Sequence, residues 1–229
     1  MLKNRSICEY TKTLRIFADH NIDMKVFLDK IFIGILSFLT RIIYCPKVYY
    51  ADGAKRSSKI DAPAILVCNH TSHLDGAILS VALKDTGIVS LAAKDRFEQK
   101  WFGFLLRHTN CIPIDRQHPD TTWIHDSLRI LSEGKNCIAI YPEGRHGTFR
   151  HQLPFHSGVT MLAALARTPV VVVYIDGPHK AFHRSRIIVS APMQLETPEG
   201  GLNAEAIEKC TVVLQDRMTA LMNELIAQL

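Results

Sequence analysis

From residue 60 onward the sequence changes period repeatedly. Short runs of branched aliphatic residues alternate with stretches of helical spacing, which leaves few architectures open. The runs "AILVC" (64–68), "GIVSLAA" (87–93), "CIPI" (111–114), "NCIAIY" (136–141), "PVVVVYI" (169–175) and "SRIIVS" (185–190) read as strands. Several are apolar at consecutive rather than alternate positions, the mark of strands covered on both faces. Between them the spacing predicts helices near 75–84, 97–107, 120–133 and 157–167; Pro119 and Asp120 open the third and Gly134 closes it. From Asn203 onward, Ile207, Cys210, Val213, Leu214, Met218, Leu221, Met222 and Leu225 form one stripe, predicting an amphipathic helix docked on the sheet. The expected fold is α/β, with a mostly parallel central sheet flanked by helices.

The segment "MKVFLDKIFIGILSFLTRII" (24–43) precedes this pattern. Lys25, Asp29, Lys30 and Arg41 limit its unbroken apolar run to Ile31–Thr40, short for a bilayer span. Leu28, Ile31, Phe32, Ile35, Leu39 and Ile42 recur at helical spacing, which fits a helix lying in a membrane interface and equally one packed on its own core. The expected division is an N-terminal helical membrane-association segment, residues 1–50, followed by an α/β domain, residues 51–229. Charges scattered through residues 1–25 do not make a signal peptide, and six cysteines without a C-x-x-C pair suit a reduced, cytosol-facing protein. A net charge of +5 is too mild for a nucleic-acid footprint, but it suits an anionic membrane surface or a phosphorylated substrate.

The stretch "LVCNHTSHLDG" (66–76) concentrates His70, His73 and Asp75 just after an apolar run. On one regular helix His70 and Asp75 would face different directions. With a strand before them and a helix starting near Ser72, His70 lies in the turn and Asp75 in the first helical turn, so the two can fold back on each other. Carboxyl ends of strands are where α/β sheets usually carry their sites. An ionised Asp there can hold one imidazole nitrogen and leave the other as a base. Two other readings stand beside it: Ser72-x-x-Asp75 as a capping box, and His70, His73 and Asp75 as zinc ligands. His146, His151 and His156, at intervals of five, do not follow ligand spacing.

Three further segments add to this one. "KDRFEQKWFGFLLRHTNCIPIDR" (94–116) ends in Ile-Asp-Arg; "IAIYPEGRHG" (138–147) delivers Pro-Glu-Gly into a turn; "LPFHSGVTMLAALARTPVVVVYIDG" (153–177) carries a strand opened by Pro169. With N-H-T-S-H-L-D they resemble, in order, the four blocks of the PlsC-like glycerolipid acyltransferase family. Asn69, His70 and Asp75 match the first block, and Lys94, Phe102, Gly103, Ile114, Asp115 and Arg116 the second. Pro142, Glu143 and Gly144 match the third, and Pro169 to Tyr174 the fourth.

The resemblance covers roughly residues 60–195. It implies transfer of a fatty acyl group from acyl-CoA or acyl-carrier protein to the free hydroxyl of 1-acylglycerol-3-phosphate, giving phosphatidic acid at the cytosolic face of a membrane. It implies His70 as the base and Asp75 as its orienting carboxylate, with no metal, cofactor or acyl-enzyme. Arg116 would hold the acceptor's phosphate, and Glu143 and Gly144, with Lys94 and Arg145 nearby, would complete the acceptor site. The chain departs from the family where P-E-G-T-R-S becomes P-E-G-R-H-G, bringing Arg145 one residue early and adding His146, and where P-F-x-x-G lacks its usual Lys. Both changes fall where head groups are expected to bind. They keep open another lysophospholipid or a lyso-ornithine lipid as acceptor. A non-catalytic lipid-binding protein of the same fold and a zinc hydrolase are readings from other classes.

Overall fold

Consecutive apolar residues belong in strands with no solvent-facing side, and all five residues of β2 (Ala64–Cys68) and all four of β5 (Cys137–Ile140) are buried. The computed structural model of the protein describes residues 27–115, 121–148, 150–195 and 203–229. Around β2 and β5 lie β1 (Lys47–Tyr50), β3 (Ile88–Ala93), β4 (Cys111–Ile114), β6 (Val170–Asp176) and β7 (Arg186–Val189). The sheet order is β1-β7-β6-β2-β5-β3-β4. All pairings are parallel except β6 with β7, which is antiparallel and reverses the direction of the β7–β1 edge.

Residues 27–44 are helical (α1). The other helices are α2 (Asp75–Ala82), α3 (Lys94–Phe97), α4 (Lys100–His108), α5 (Thr122–Ser132), α6 (Gly158–Ala166) and α7 (Ala204–Ala227). Side-chain alternation along the strands divides the core into two layers. Ile65, Val67, Ile138, Ile140, Val172 and Tyr174 meet Ile124 and Leu131 of α5, Leu162 of α6 and Leu214, Met218 and Leu221 of α7. Leu66, Cys68, Ala139, Val171 and Val173 face the other way, toward Ile78, Leu79 and Ala82 of α2.

The chain divides into two compact units, Met1–Leu39 and Thr40–Leu229. Of the first, residues 27–39 are described, and all are helical. The larger unit takes in β1, so its sheet begins before the expected boundary at residue 51. β1 escapes sequence reading because "KVYY" is short and only partly buried, with no period of its own. The helix expected at 97–107 is broken into α3 and α4 at Glu98–Gln99. In α7 the buried face is Ala206, Thr211, Leu214, Met218, Leu221 and Leu225, whereas Val213 is exposed; a narrower stripe rotated from the expected one suffices for the contact.

Candidate active site

Three adjacent strands, β5, β2 and β6, run parallel, and their carboxyl ends deliver the segments that make the site. Asn69, the first residue after β2, is buried and splints two of them: its Oδ1 accepts from the Ile175 N–H at 2.7 Å and its Nδ2 donates to the Ile175 carbonyl at 2.9 Å. Asn69 thus continues the β2–β6 ladder past the strand end and fixes where His70 leaves the sheet.

α2 begins at Asp75, and residues 71–74 form the turn. Asp75 is fully buried and accepts from the Thr71 N–H at 2.7 Å, the Ser72 N–H at 2.9 Å and the Thr71 hydroxyl at 3.2 Å. The His70 Nδ1 lies 2.9 Å from its Oδ2, and the His179 Nε2 lies 2.8 Å from its Oδ1. Burial works to raise the Asp75 pKa, yet the hydrogen bonds from His179, His70 and Ser72 outweigh it and hold the carboxyl well below the usual range. An ionised carboxylate only accepts, so the hydrogens lie on Nδ1 of His70 and Nε2 of His179. In the neutral imidazole this leaves Nε2 of His70, a side chain about a quarter exposed, as the acceptor, and among the described residues no hydrogen bond occupies it.

The expected capping box is not formed: α2 has Leu74, not Ser72, at its N-cap, with no side-chain cap bond. Asp75 reaches back to the Ser72 N–H, while the Ser72 hydroxyl accepts from the Leu74 N–H at 3.2 Å rather than from Asp75. One carboxylate therefore ties down the helix start and orients the imidazole. Among the described residues no three His, Cys, Asp or Glu side chains converge as a metal-ligand set.

The turn after β5 clamps the backbone of His70 from both sides. Glu143 is buried, its Oε1 accepts from the His70 N–H at 3.0 Å and its Oε2 from the Leu153 N–H at 3.1 Å. The Gly147 N–H donates to the His70 carbonyl at 2.7 Å. Burial pushes the Glu143 carboxyl above its ordinary range, and its backbone bonds oppose that only in part. Gly144 takes the left-handed conformation (φ +65°) that the turn requires. Tyr141 stacks on the His70 ring at 4.5 Å between centroids. His146 meets both His70 and His73 edge-on at 4.2 Å, and its pKa is pushed down to about 4 by burial and by the charges of His70 and His73. His73 packs against the Phe102 ring at 5.3 Å.

The structure brings His70, Asp75, Glu143 and Gly144 together. Arg145 is exposed on the same turn. Lys94, at the end of β3, pairs with Asp115 at the end of β4 at 3.2 Å, while Arg116 lies outside the described residues. Sequence reasoning missed His179, whose Nδ1 lies 2.9 Å from the Ser185 hydroxyl. Its one signal is position: a His just past the carboxyl end of an apolar strand, in "YIDGPHK".

Gly177 ties this geometry to β6. A Cβ there would lie 2.0 Å from Thr71 Oγ1 and 2.7 Å from Thr71 Cβ, and Thr71 carries two of the hydrogen bonds to Asp75. Gly177→Ala must displace Thr71. Overpacking of this kind costs about 1–3 kcal/mol. The variant is expected to melt earlier and to lose about tenfold in turnover, read by thermal unfolding and by product formation.

The family model described as "Acyltransferase" matches residues 47–176. The chain is 25% identical over 182 residues to a 1-acyl-sn-glycerol-3-phosphate acyltransferase of Bacillus subtilis, covering 76% of this chain and 90% of that one. It is 30% identical over 128 residues to the protein of that name from Cocos nucifera, covering 55% of this chain and 41% of that one. The crystal structure of the 1-acyl-sn-glycerophosphate (LPA) acyltransferase PlsC from Thermotoga maritima shares the fold, with a TM-score of 0.62 and 19% identity, over 92% of this chain and 89% of that one. The matched span runs from β1 to the end of β6 and carries the His70–Asp75 pair, so this chain belongs to the acyltransferase family.

Proposed function

We propose that the protein transfers a fatty acyl group from acyl-CoA or acyl-carrier protein to the free hydroxyl of 1-acylglycerol-3-phosphate, giving phosphatidic acid. The observation that carries this reading is the buried, ionised Asp75 holding Nδ1 of a partly exposed His70. Its relatives' names supply the reaction class and acceptor. His70 Nε2 removes the hydroxyl proton as the oxygen attacks the thioester carbonyl, and Asp75 stabilises the imidazolium. The tetrahedral intermediate collapses with cleavage of the C–S bond, and the thiolate takes the proton back from Nε2. The scheme uses neither an acyl-enzyme nor a cofactor.

Because both Glu143 oxygens are taken by backbone donors, its part is to position His70. Arg116 and Arg145 supply positive charge for the acceptor's phosphate, and Lys94 fixes the strand ends through Asp115. Ile31, Ile35, Leu39 and Ile42 of α1 are exposed, which suits association with the cytosolic leaflet where a lipid acceptor resides. No described helix is long and apolar enough to cross a membrane.

The test is a panel of acyl-CoA and acyl-carrier-protein donors against lysophosphatidate, other lysophospholipids and lyso-ornithine lipid, with released thiol as the readout. The expected result is fastest thiol release with lysophosphatidate. A strong preference for an acceptor lacking the terminal phosphate would reassign the acceptor, and lipid binding without thiol release from any pair would leave a binding protein.

A further inference from the structure

The His70–Asp75 pair has a third member that lies beyond the matched family span. The His179 side chain is fully buried, and its two ring nitrogens are both engaged: Nε2 with Asp75 Oδ1 at 2.8 Å, Nδ1 with Ser185 Oγ at 2.9 Å. Ser185 is itself buried, and His179 is the partner of its hydroxyl. If the His179 ring carried hydrogens on both nitrogens, the Ser185 hydroxyl hydrogen would be left without an acceptor, a penalty that a buried donor avoids. With the Ser185 hydroxyl donating to Nδ1 and Nε2–H donating to Asp75, every group is satisfied.

We propose that His179 is a positioning residue for the acyl-transfer reaction: a neutral imidazole, set in its Nε2–H form by Ser185, that aims the second oxygen of Asp75 at His70. The carboxylate has one oxygen for each imidazole, apart from the backbone and hydroxyl donors of Thr71 and Ser72 that the two oxygens share. Held by His179 from the β6 side, the carboxyl group cannot rotate away when His70 takes up a proton. Because His179 brings no charge of its own, the full negative charge of Asp75 remains for the imidazolium formed on His70. A positively charged group in the same place would compete for that charge and weaken the base. The chain Ser185–His179–Asp75–His70 thus reaches from the start of β7 through the turn after β6 to the start of α2, joining segments far apart in sequence.

This inference rests on the acyl-transfer reading, so the test has one arm that needs no activity. In protein labelled with 15N at histidine, the His179 resonances, assigned by their loss in His179→Gln, should show a protonated Nε2 and an unprotonated Nδ1 at neutral pH. A protonated Nδ1 overturns the proposal whether or not the protein turns over. The second arm compares His179→Gln, whose amide NH2 can reach Asp75 while its carbonyl accepts from Ser185, with His179→Leu, which fills the space without a donor. The expected kcat is within about threefold of wild type for Gln and about 30-fold lower for Leu, with the acceptor KM nearly unchanged in both. Ser185→Ala, a smaller change to the core, is expected to lower kcat several-fold at unchanged KM. Equal kcat in the Gln and Leu variants, or losses seen only in KM or in thermal stability, would reduce His179 to a packing residue. Failure of the wild type to release thiol would count against the acyl-transfer reading, and the NMR arm would still decide the hydrogen-bond assignment.

Discussion

His70→Ala is expected to lower kcat about a thousandfold, with the acceptor KM changed by less than about threefold, because removal of a well-placed general base is worth about 10²–10⁴ in rate. The fold should survive. The His70 side chain is partly exposed, and its anchoring runs through the backbone, from its N–H to Glu143 and from the Gly147 N–H to its carbonyl, neither of which alanine disturbs. Asp75 would keep its partners at Thr71, Ser72 and His179, so the carboxylate is not stranded. The measurement is thiol release under saturating donor, with urea unfolding run beside it. Turnover close to wild type would remove His70 as the base, and with it the reaction scheme. His146, edge-on to the same ring, is not a substitute: among the described residues it makes no hydrogen bond to Asp75, whose imidazole partners are His70 and His179.

What could be read in advance, and what could not, follows from how far each interaction reaches along the chain. The interior strands were legible because β2, β5 and β6 are apolar at almost every position, and burial on both faces demands that. β1 and the reversed direction of β7 were not, since a four-residue strand carries no record of whether its neighbour runs with it or against it. The His70–Asp75 pair lies within five residues, so a strand-to-helix turn suffices to join it. His179 comes to the same carboxylate from 104 residues away, and only the placement of β6 beside β2 makes the contact. Glu143 shows a third kind of limit. Its place in a turn after a strand was plain, but which donors a carboxylate meets depends on the direction of backbone N–H groups, and here they are those of His70 and Leu153.

Asp75→Asn should lose about 10³–10⁴-fold in kcat, the scale seen when an orienting carboxylate becomes an amide and the imidazole takes the wrong tautomer. The new NH2 can only donate, while every neighbour around the carboxyl group, from Thr71 and Ser72 to His70 and His179, presents a hydrogen. At least one buried donor is left unsatisfied, at about 1–3 kcal/mol each, so the variant should also be less stable at neutral pH. The pH dependence separates this charge effect from packing. Asp75 titrates below its unfolded value, so its stabilisation is complete above about pH 4 and is lost as pH falls below that toward its folded value. Glu143 has the opposite sign: its raised pKa, due first to burial and in smaller part to the Asp75 charge, means that acidification through its titration adds stability. Urea unfolding of wild type and variant at pH 7, 5 and 3 should therefore show a gap that is narrower at pH 3 than at pH 5. A gap that stays the same at pH 3 would mean that the Asn substitution destabilises by misfit alone, and that the carboxylate's charge is not what holds the turn, the helix start and the two imidazoles together.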